Sequence, residues 1–488
     1  MQIKNELAKF VGTDHVSDAR EECAKYASDF SLLPSGMPEA VVWPASSQEV
    51  GKIVGWCNEQ NIPVVPVSSR VHFHGCSIPK QGGVVIDMKR MNKILEIDLD
   101  NRLVRFEPGV TWEQLTEALK KEGMRAIMPL LPHPERSVLT DNLEREVPTN
   151  TVYDYGEPTQ SLEVVWANGE IFRSGSASVN GFPDSKSRGA NPSGPGLDFY
   201  RFFQGAQGTM GIVTWMSLKI ESIPKIDKIF FAPVDDLPYA MDFLYRILPR
   251  RVGQECLLLN NVDLAAIVAD EMEDFDSLCA KLPPWSLVLV ISGLLRRPEE
   301  KIAYEEKFLT EILKNEFPKL KLGDNLPGFP GLGRKLLPML RAPWSSKAPY
   351  WKNRLRGGCQ NLFFITRPVQ APMFMEIMEE VATRHGYPVS DIGSYIQPIE
   401  HNRACQVEFS FFYDPEFEHE KALVAEMTRE AALAMMNEGA FFSRPYGDLA
   451  PIIYDRAANY TMTLGHGQKA DTEQQVEAVV GSVGSLSR

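Results

Sequence analysis

The 488-residue sequence predicts an α+β protein with two unlike domains, residues 1–225 and 226–440, followed by a third segment, residues 441–488. Two observations carry this reading. The first 225 residues alternate short apolar runs with amphipathic stretches, whereas the next part favours longer helices with isolated strands. Within the first part, the dipeptide Asn168-Gly169, which tolerates positive φ, joins two apolar runs and marks an antiparallel hairpin.

The elements follow in order. Ser46-Ser47-Gln48-Glu49 has the pattern of a capping box, and Val50, Ile53, Val54 and Cys57 then share one helical face, so a helix is expected to about Glu59. Ile62 to Val67 and Gly83 to Met88 are apolar runs bounded by Gly, Pro and polar residues, the pattern of buried strands. The residues between them form a loop leaving the end of a strand. Arg102 to Glu107 alternates faces, Pro108-Gly109 turns the chain, and Thr111 caps a helix carrying Leu115, Ala118 and Leu119. Leu162 to Trp166 and Glu170 to Arg173 form the hairpin. Residues 174–198 are rich in Gly, Ser, Pro and Asn and read as a long surface loop. An aromatic turn of helix, three glycines and a strand (YRFFQGAQGTMGIVTWMSLKI) close the first domain. In the second, Leu287 to Ile291 is a strand, Glu299 to Lys314 a charged helix, and Met373, Met375 and Met378 fill a core.

Composition narrows the function. A net charge of −13 argues against a general nucleic-acid surface, which needs a basic face to neutralise phosphates. The N-terminal residues carry Lys4, Glu6 and Lys9 where a signal peptide would be apolar, and no apolar run approaches membrane-spanning length. Seven cysteines with no CxxC pair fit free thiols in a reducing compartment, so a cytoplasmic protein is expected. Between Arg334 and Arg356 stand seven Lys or Arg and no acid, interleaved with Trp344, Tyr350 and Trp351. This stretch reads as a solvated loop, a lid over an anionic substrate, or a dock for an acidic electron-transfer partner.

Several segments together, in order, resemble the vanillyl-alcohol oxidase and p-cresol methylhydroxylase family, which includes D-lactate and glycolate dehydrogenases. They are PEAVVWPASSQEVGKIVGWCNEQNIPVVP, GGVVIDMKRMNKILEIDLDNRLVRFEPGVTWEQLTEAL, EVVWANGEIFRSGS and FFQGAQGTMGIVTWMSLKI, followed later by EFSFFYDPEF and GAFFSRPYGDLAPIIY. The resemblance implies a two-subdomain FAD-binding domain of the p-cresol methylhydroxylase (PCMH) type over 1–225. It implies an α+β substrate (cap) domain with an antiparallel sheet over 226–440, and a segment over 441–488 that returns to the flavin domain. The implied cofactor is FAD.

The resemblance places the pyrophosphate loop at Ser68, Ser69, Arg70, Val71, His72 and Phe73, where only Gly75 remains of the usual glycines, so hydroxyls and Arg70 are expected to replace backbone donors. A second flavin segment falls on Ser137 to Glu146, with Thr140, Asp141 and Asn142 as contacts. The distal end of the cofactor is expected at Gly208, Gly211, Ile212 and Val213. His72 and His74 read either as donors to phosphate or solvent or as a point of covalent flavin attachment. Near the family's His-rich metal motif this chain has only His401, with Glu408 beyond it, so no metal is expected.

The substrate-site candidates are Arg403, Glu408, Arg444 and Tyr446. Removing a hydride from a carbon bearing O–H calls for a base, and holding an anionic substrate calls for a cation. The competing readings are a surface ion pair of Arg403 with Glu400 and a packing role for Tyr446. The leading expectation is hydride transfer from a 2-hydroxy acid or small alcohol to flavin N5, with a small, anionic substrate. The alternatives are oxidation of a 4-substituted phenol at its benzylic carbon, and a non-catalytic or electron-transferring flavin subunit. An iron–sulfur or electron-transfer flavoprotein partner and a homodimer are the assemblies considered. Nucleic acid and a membrane span are not expected.

Overall fold

The structure is a computed structural model that describes residues 3–152, 156–179, 191–194 and 196–456. Residues 180–190 and 195 of the expected surface loop, and the tail from 457, lie outside the described residues.

Strands β1 (Val16–Ser17), β2 (Ala40–Val42), β3 (Val64–Val67) and β4 (Val84–Asp87) form a small sheet in the order β1-β2-β4-β3, with β2 and β3 each parallel to β4. Strands that run the same way need a crossover between them. The helix Ser47–Glu59 supplies it, started by Ser46, whose side chain accepts from the Glu49 N–H at 3.2 Å, while Glu49 accepts from the Ala45 N–H at 2.7 Å. Its face of Val50, Ile53, Val54 and Cys57 packs on Ala40, Val42, Val84 and Ile86.

The second sheet contains β5 (Ile94–Asp98), β6 (Leu103–Phe106), β7 (Met124–Ala126), β8 (Thr159–Val165), β9 (Ile171–Arg173) and β10 (Ile212–Ser222). Its order is β5-β6-β10-β8-β9, with β7 also on β10 and every pairing antiparallel. The hairpin β8–β9 turns at Gly169, where φ is 84°. A Cβ at Gly169 would stand 2.5 Å from the Gly51 carbonyl, so the hairpin turn and the helix Ser47–Glu59 approach through a pair of bare backbones. Strand β8 begins three residues before the apolar run does. Thr159, Gln160 and Ser161 are buried, and partners in the fold offset their desolvation: Gln204 donates to Thr159 Oγ1 at 3.1 Å, and the Ser161 N–H donates to Ser217 at 3.0 Å.

The third sheet, β11 (Ile226–Val234), β12 (Glu255–Asn260), β13 (Trp285–Gly293), β14 (Gly358–Thr366), β15 (Ile392–Ile399) and β16 (Ala404–Tyr413), is antiparallel in the order β11-β13-β12-β15-β16-β14. Alternate residues of β13 enter different cores. Leu287, Leu289 and Ile291 meet the helices Leu237–Ile247, Pro298–Asn315, Ala371–His385 and Glu418–Asn437, while Val288 and Val290 meet Asn261–Val268 and Leu332–Met339. Burial on both faces explains the uninterrupted apolar run there. The methionines at 375 and 378 lie in the first of these cores, and Met373 packs at its edge.

A buried ion network spans the second and third sheets. Arg125 on β7 pairs with Glu221 on β10 and, at 3.1 Å, with Glu255 on β12; Arg341 then joins Glu255 at 2.9 Å to Asp227 at 3.0 Å. All seven cysteines are free, and among the described residues no helix is long and apolar enough to cross a membrane. Arg341→Ala is expected to lower the unfolding free energy by about 1.5–3 kcal/mol, because Arg125 still partners Glu255 but Asp227 loses its charge-assisted bond. Urea unfolding of the variant measures this, and Glu255→Gln in the same background should recover part of the loss.

Candidate active site

Strand β3 ends at Val67, and the chain then runs as a loop across the end of the helix Val138–Leu143. Ser137 starts that helix: its hydroxyl accepts from the Thr140 N–H at 3.3 Å and donates to the Pro108 carbonyl at 2.6 Å. The Ser68 hydroxyl bonds Thr140 Oγ1, tying loop to helix. Between these elements and the turn 205–211 lies a groove lined by Ser68, His72, Cys76, Ser77, Thr140, Glu144 and the run Gly205 to Val213. Gly208 and Gly211 have φ of 82° and 117°, and a Cβ at Gly211 would stand 2.6 Å from the Val165 carbonyl.

The groove fits the phosphate-bearing part of a dinucleotide. It offers hydroxyls from both sides and a glycine turn without side chains, and a buried ring nitrogen beside them is free to accept from a ligand N–H or O–H. That nitrogen is Nδ1 of His72; the ring's other nitrogen, Nε2, donates to the Ser69 carbonyl at 2.6 Å. Burial pushes the His72 pKa below its ordinary value, with the Arg136 charge acting in the same direction against Glu144 and Asp29.

Of the cofactor residues expected from sequence, Ser68, His72, Thr140, Gly208, Gly211, Ile212 and Val213 line this groove. Others are turned elsewhere. Ser69 accepts from the Ser137 N–H at 3.2 Å, Asn142 donates to the Val138 carbonyl at 2.9 Å, and buried Val71 offers its carbonyl to Arg136 at 3.0 Å. Arg70, expected to pair with pyrophosphate, reaches the Lys25 carbonyl at 2.9 Å and lies over the Tyr26 ring, a bond that anchors the loop. Phe73 and Asp141 face a second cleft.

That cleft shares the loop and the helix with the groove: His74 lines it where His72 lines the groove, and Glu146 where Glu144 does. Its other wall is the third sheet. On β16, Val407, Phe409 and Phe411 enter the core, so the two-residue period turns Gln406, Glu408 and Ser410 to the opposite face. Glu408 receives hydrogen bonds from Lys352 at 2.5 Å, Asn361 at 2.6 Å and Gln406 at 3.0 Å. Burial alone would lower the Lys352 pKa, but the Glu408 charge beside it raises it, so the pair is ionic. Phe73, Tyr350, Trp351, Phe363 and Tyr395 supply aromatic walls, with Phe73 and Tyr350 stacked at 5.6 Å.

The charges around the cleft are matched. Arg136 pairs with Asp141 and Glu144, and Trp112 donates to Asp141 at 2.6 Å. Burial, only partly offset by Arg136, pushes Asp141 up to about 6. Burial would also raise Glu146, yet Arg444 at 2.8 Å and His74 at 3.5 Å hold it well below the usual carboxylate range.

Arg444 and Tyr446 come from the segment after the last long helix and stand between groove and cleft. Arg444 bonds Gln406 at 3.1 Å and the Glu144 carbonyl at 3.3 Å, and covers the Phe363 ring at 4.0 Å. The Tyr446 ring stacks on His74 at 4.4 Å, and its hydroxyl donates to the Glu144 carbonyl at 3.1 Å. Arg403 stands apart. It lies in the turn between β15 and β16, its side chain 77% exposed and paired with Glu400 at 3.1 Å. No metal was expected around residues 400–408. Elsewhere His74, Glu144 and Glu146 bring ligand atoms within 4.8 Å of one another, although Arg136 and Arg444 already hold the two carboxylates.

Sequence reasoning missed Arg136, Lys352, Asn361 and Gln406 as site residues. Lys352 did leave a signal, the run of unbalanced cations, which is mostly absorbed internally: Lys335 by Asp270, Arg341 by Asp227 and Glu255, Lys352 by Glu408, Arg354 by the Ala269 carbonyl, and Arg356 by Glu420.

Three sheets, a groove and an adjoining cleft walled by the third sheet give the chain the fold of p-cresol methylhydroxylase. Residues 38–175 match the FAD binding domain family, and the cofactor is FAD. The fold is that of 4-ethylphenol oxidase from Gulosibacter chungangensis (TM-score 0.80, 21% identity, 98% of this chain and 94% of that one). It is also that of p-cresol methylhydroxylase (TM-score 0.76, 20% identity, 90% and 87%). In sequence, the chain is 28% identical over 254 residues to the glycolate oxidase subunit GlcD of Bacillus subtilis, covering 51% of each protein. It is 31% identical over 227 residues to a mitochondrial D-lactate dehydrogenase [cytochrome] of Arabidopsis thaliana, covering 46% of this chain and 37% of that protein. The aligned region thus spans about half or less of these curated relatives.

Replacing Ser68 by Ala and Thr140 by Val together removes the hydroxyl pair of the groove. FAD affinity, measured by fluorescence titration of the stripped protein, is expected to fall about tenfold, the equivalent of one net hydrogen bond.

Proposed function

We propose that the chain is an FAD-dependent oxidoreductase that removes a hydride from a small alcohol or a benzylic carbon, with Glu408 as the base for the substrate's hydroxyl. Bound in the groove, FAD supplies the hydride acceptor. The observation that carries this reading is a buried carboxylate, fixed by Lys352, Asn361 and Gln406, in an aromatic cleft that shares its loop with the cofactor groove. A carbon bearing O–H releases a hydride readily only as its oxygen gives up a proton, and a carboxylate held at a fixed angle can take that proton. Tyr446 suits this task less. Burial pushes its pKa well above the ordinary value and its hydroxyl is committed to the Glu144 carbonyl, so it acts with Arg444 as a positioning group between the domains.

The cleft favours an uncharged aromatic substrate, such as a 4-substituted phenol, over a 2-hydroxy acid. Both permanently charged cations lining it, Arg136 and Lys352, are already matched by carboxylates, and burial keeps the His133 pKa low. A substrate carboxylate would have to displace one of these partners and leave a buried carboxylate unpaired, at a cost of several kcal/mol. The flat aromatic walls accept a ring without that cost. The 2-hydroxy acid reading is supported by the glycolate and D-lactate names of the relatives matched in sequence.

Rapid mixing of the FAD-loaded chain with substrate tests both readings. A 4-alkylphenol is expected to reduce the flavin faster than a D-2-hydroxy acid of similar size; the reverse order would move the assignment to the hydroxy acid. Reduction by neither would leave a non-catalytic flavin subunit. Glu408→Gln should keep FAD and slow reduction by about a hundredfold or more. Tyr446→Phe should keep reduction within about tenfold of the parent, because only one hydrogen bond to a carbonyl is lost.

A further inference from the structure

The polar column of the cleft continues along the same face of the third sheet. Asp263 lies in the first turn of the helix Asn261–Val268, its N–H bonded to the Asn260 side chain at 3.0 Å. Its carboxyl is wholly buried, and neither oxygen has a hydrogen-bond partner of good geometry, although the Ser410 hydroxyl lies beside it. The carboxyl fills a notch left open by Gly393 on β15, where a Cβ would stand 2.0 Å from Asp263 Oδ1 and 2.9 Å from Ser410 Cβ. Ser410 is two residues from Glu408 on the same face of β16. Asn361 donates to both, at 2.6 Å to Glu408 and 3.4 Å to Ser410.

The ionisable groups facing Asp263 are Lys352 from the loop before β14, Glu408 on β16, Cys359 on β14 and Cys279 on the helix Phe275–Lys281. Two carboxyls thus share one ammonium. Lys352 is committed to Glu408 at 2.5 Å, so Asp263 is the member left to hold a proton. Burial pushes Asp263 up to about 7, against the pull of Lys352 and with the repulsion of Glu408.

We propose that Asp263 is a positioning residue: while protonated it leaves Lys352 to Glu408 alone and, through Ser410 and Asn361, holds the Glu408 carboxylate toward the cleft. The proposal rests on reading that cleft as the place of hydride removal. When Asp263 ionises, it competes for Lys352, and the counter-charge that steadies Glu408 and the substrate oxygen is divided. Because its folded pKa is raised, its contribution to stability is full below about pH 4, the ordinary range for Asp, and is lost as pH rises through about 7.

The test compares the FAD-loaded wild type with Asp263→Asn, whose carboxamide imitates the protonated acid, and with Ser410→Ala, which breaks the link to Asn361. Urea unfolding from about pH 5 to about pH 9 should show a fall in wild-type stability that Asp263→Asn abolishes and Ser410→Ala retains. The rate of flavin reduction by substrate should fall about tenfold in the wild type around neutrality, and Asp263→Asn should remove that fall. Ser410→Ala should slow reduction across the whole range. A stability profile unchanged in Asp263→Asn overturns the protonated carboxyl. A flattened stability profile with an unchanged rate profile overturns the positioning role while the oxidoreductase reading stands. Absence of reduction in the wild type by any substrate sinks the functional reading and the positioning role together.

Discussion

A strand has two faces and a period of two, so what one face buries decides what the other presents. Strand β16 is where this constraint governs the molecule. Val407, Phe409 and Phe411 are drawn into the main core of the third sheet, each contributing about 1.5–3 kcal/mol by its burial. The same register leaves Gln406, Glu408 and Ser410 no choice of side. A one-residue slip would bury Glu408 among four helices and turn the phenylalanines toward the cleft, so the register that is worth most to stability is also the one that builds the site.

Charges brought inside in this way must be matched, because an unpaired buried ion costs several kcal/mol. Lys352 answers Glu408, Arg136 answers Asp141 and Glu144, and Arg444 answers Glu146. These pairs are also mechanical. Arg444 touches β16 through Gln406 and residues 144 and 146 together, so the pair that neutralises Glu146 also sets the distance between the third sheet and the segment after the helix Val138–Leu143. The ion network of Arg125, Glu255 and Arg341 does the same on the other side of that contact. Stability and site geometry are therefore coupled through the same bonds.

Much of this was legible in the sequence because it is local. The cap at Ser46, the hairpin at Gly169, the glycine turn before β10 and the alternation of QVEFSFF are patterns within a dozen residues, and each formed as expected. Pairings between distant residues were not legible. Nothing near Arg444 indicates that its partner is Glu146, and nothing near Arg70 indicates that it bonds Lys25, forty-five positions away. The strand that carries Glu408 was legible. Lys352, which completes it, sits in a loop whose position depends on β14 and β16 pairing along nine residues from Gly358 to Thr366. The excess of cations from 334 to 356 signalled that acids elsewhere were waiting, without saying which.

The two halves of the site recognise their ligands by different physics. The groove offers an anion few charges: Arg70 is bonded to the Lys25 carbonyl and the loop keeps few glycines. What it offers instead is neutral, the hydroxyls of Ser68, Ser77 and Thr140 and the glycine turn 205–211. The cleft holds many permanent charges, yet each cation there faces a carboxylate, so the field a substrate meets is largely cancelled. Selection in the cleft then falls to shape and to the orientation of one carboxylate between aromatic rings. In such a site a displaced counter-ion matters more than a lost contact, since moving Lys352 or Arg136 by a fraction of its bond length would restore a buried field that the packing cannot screen.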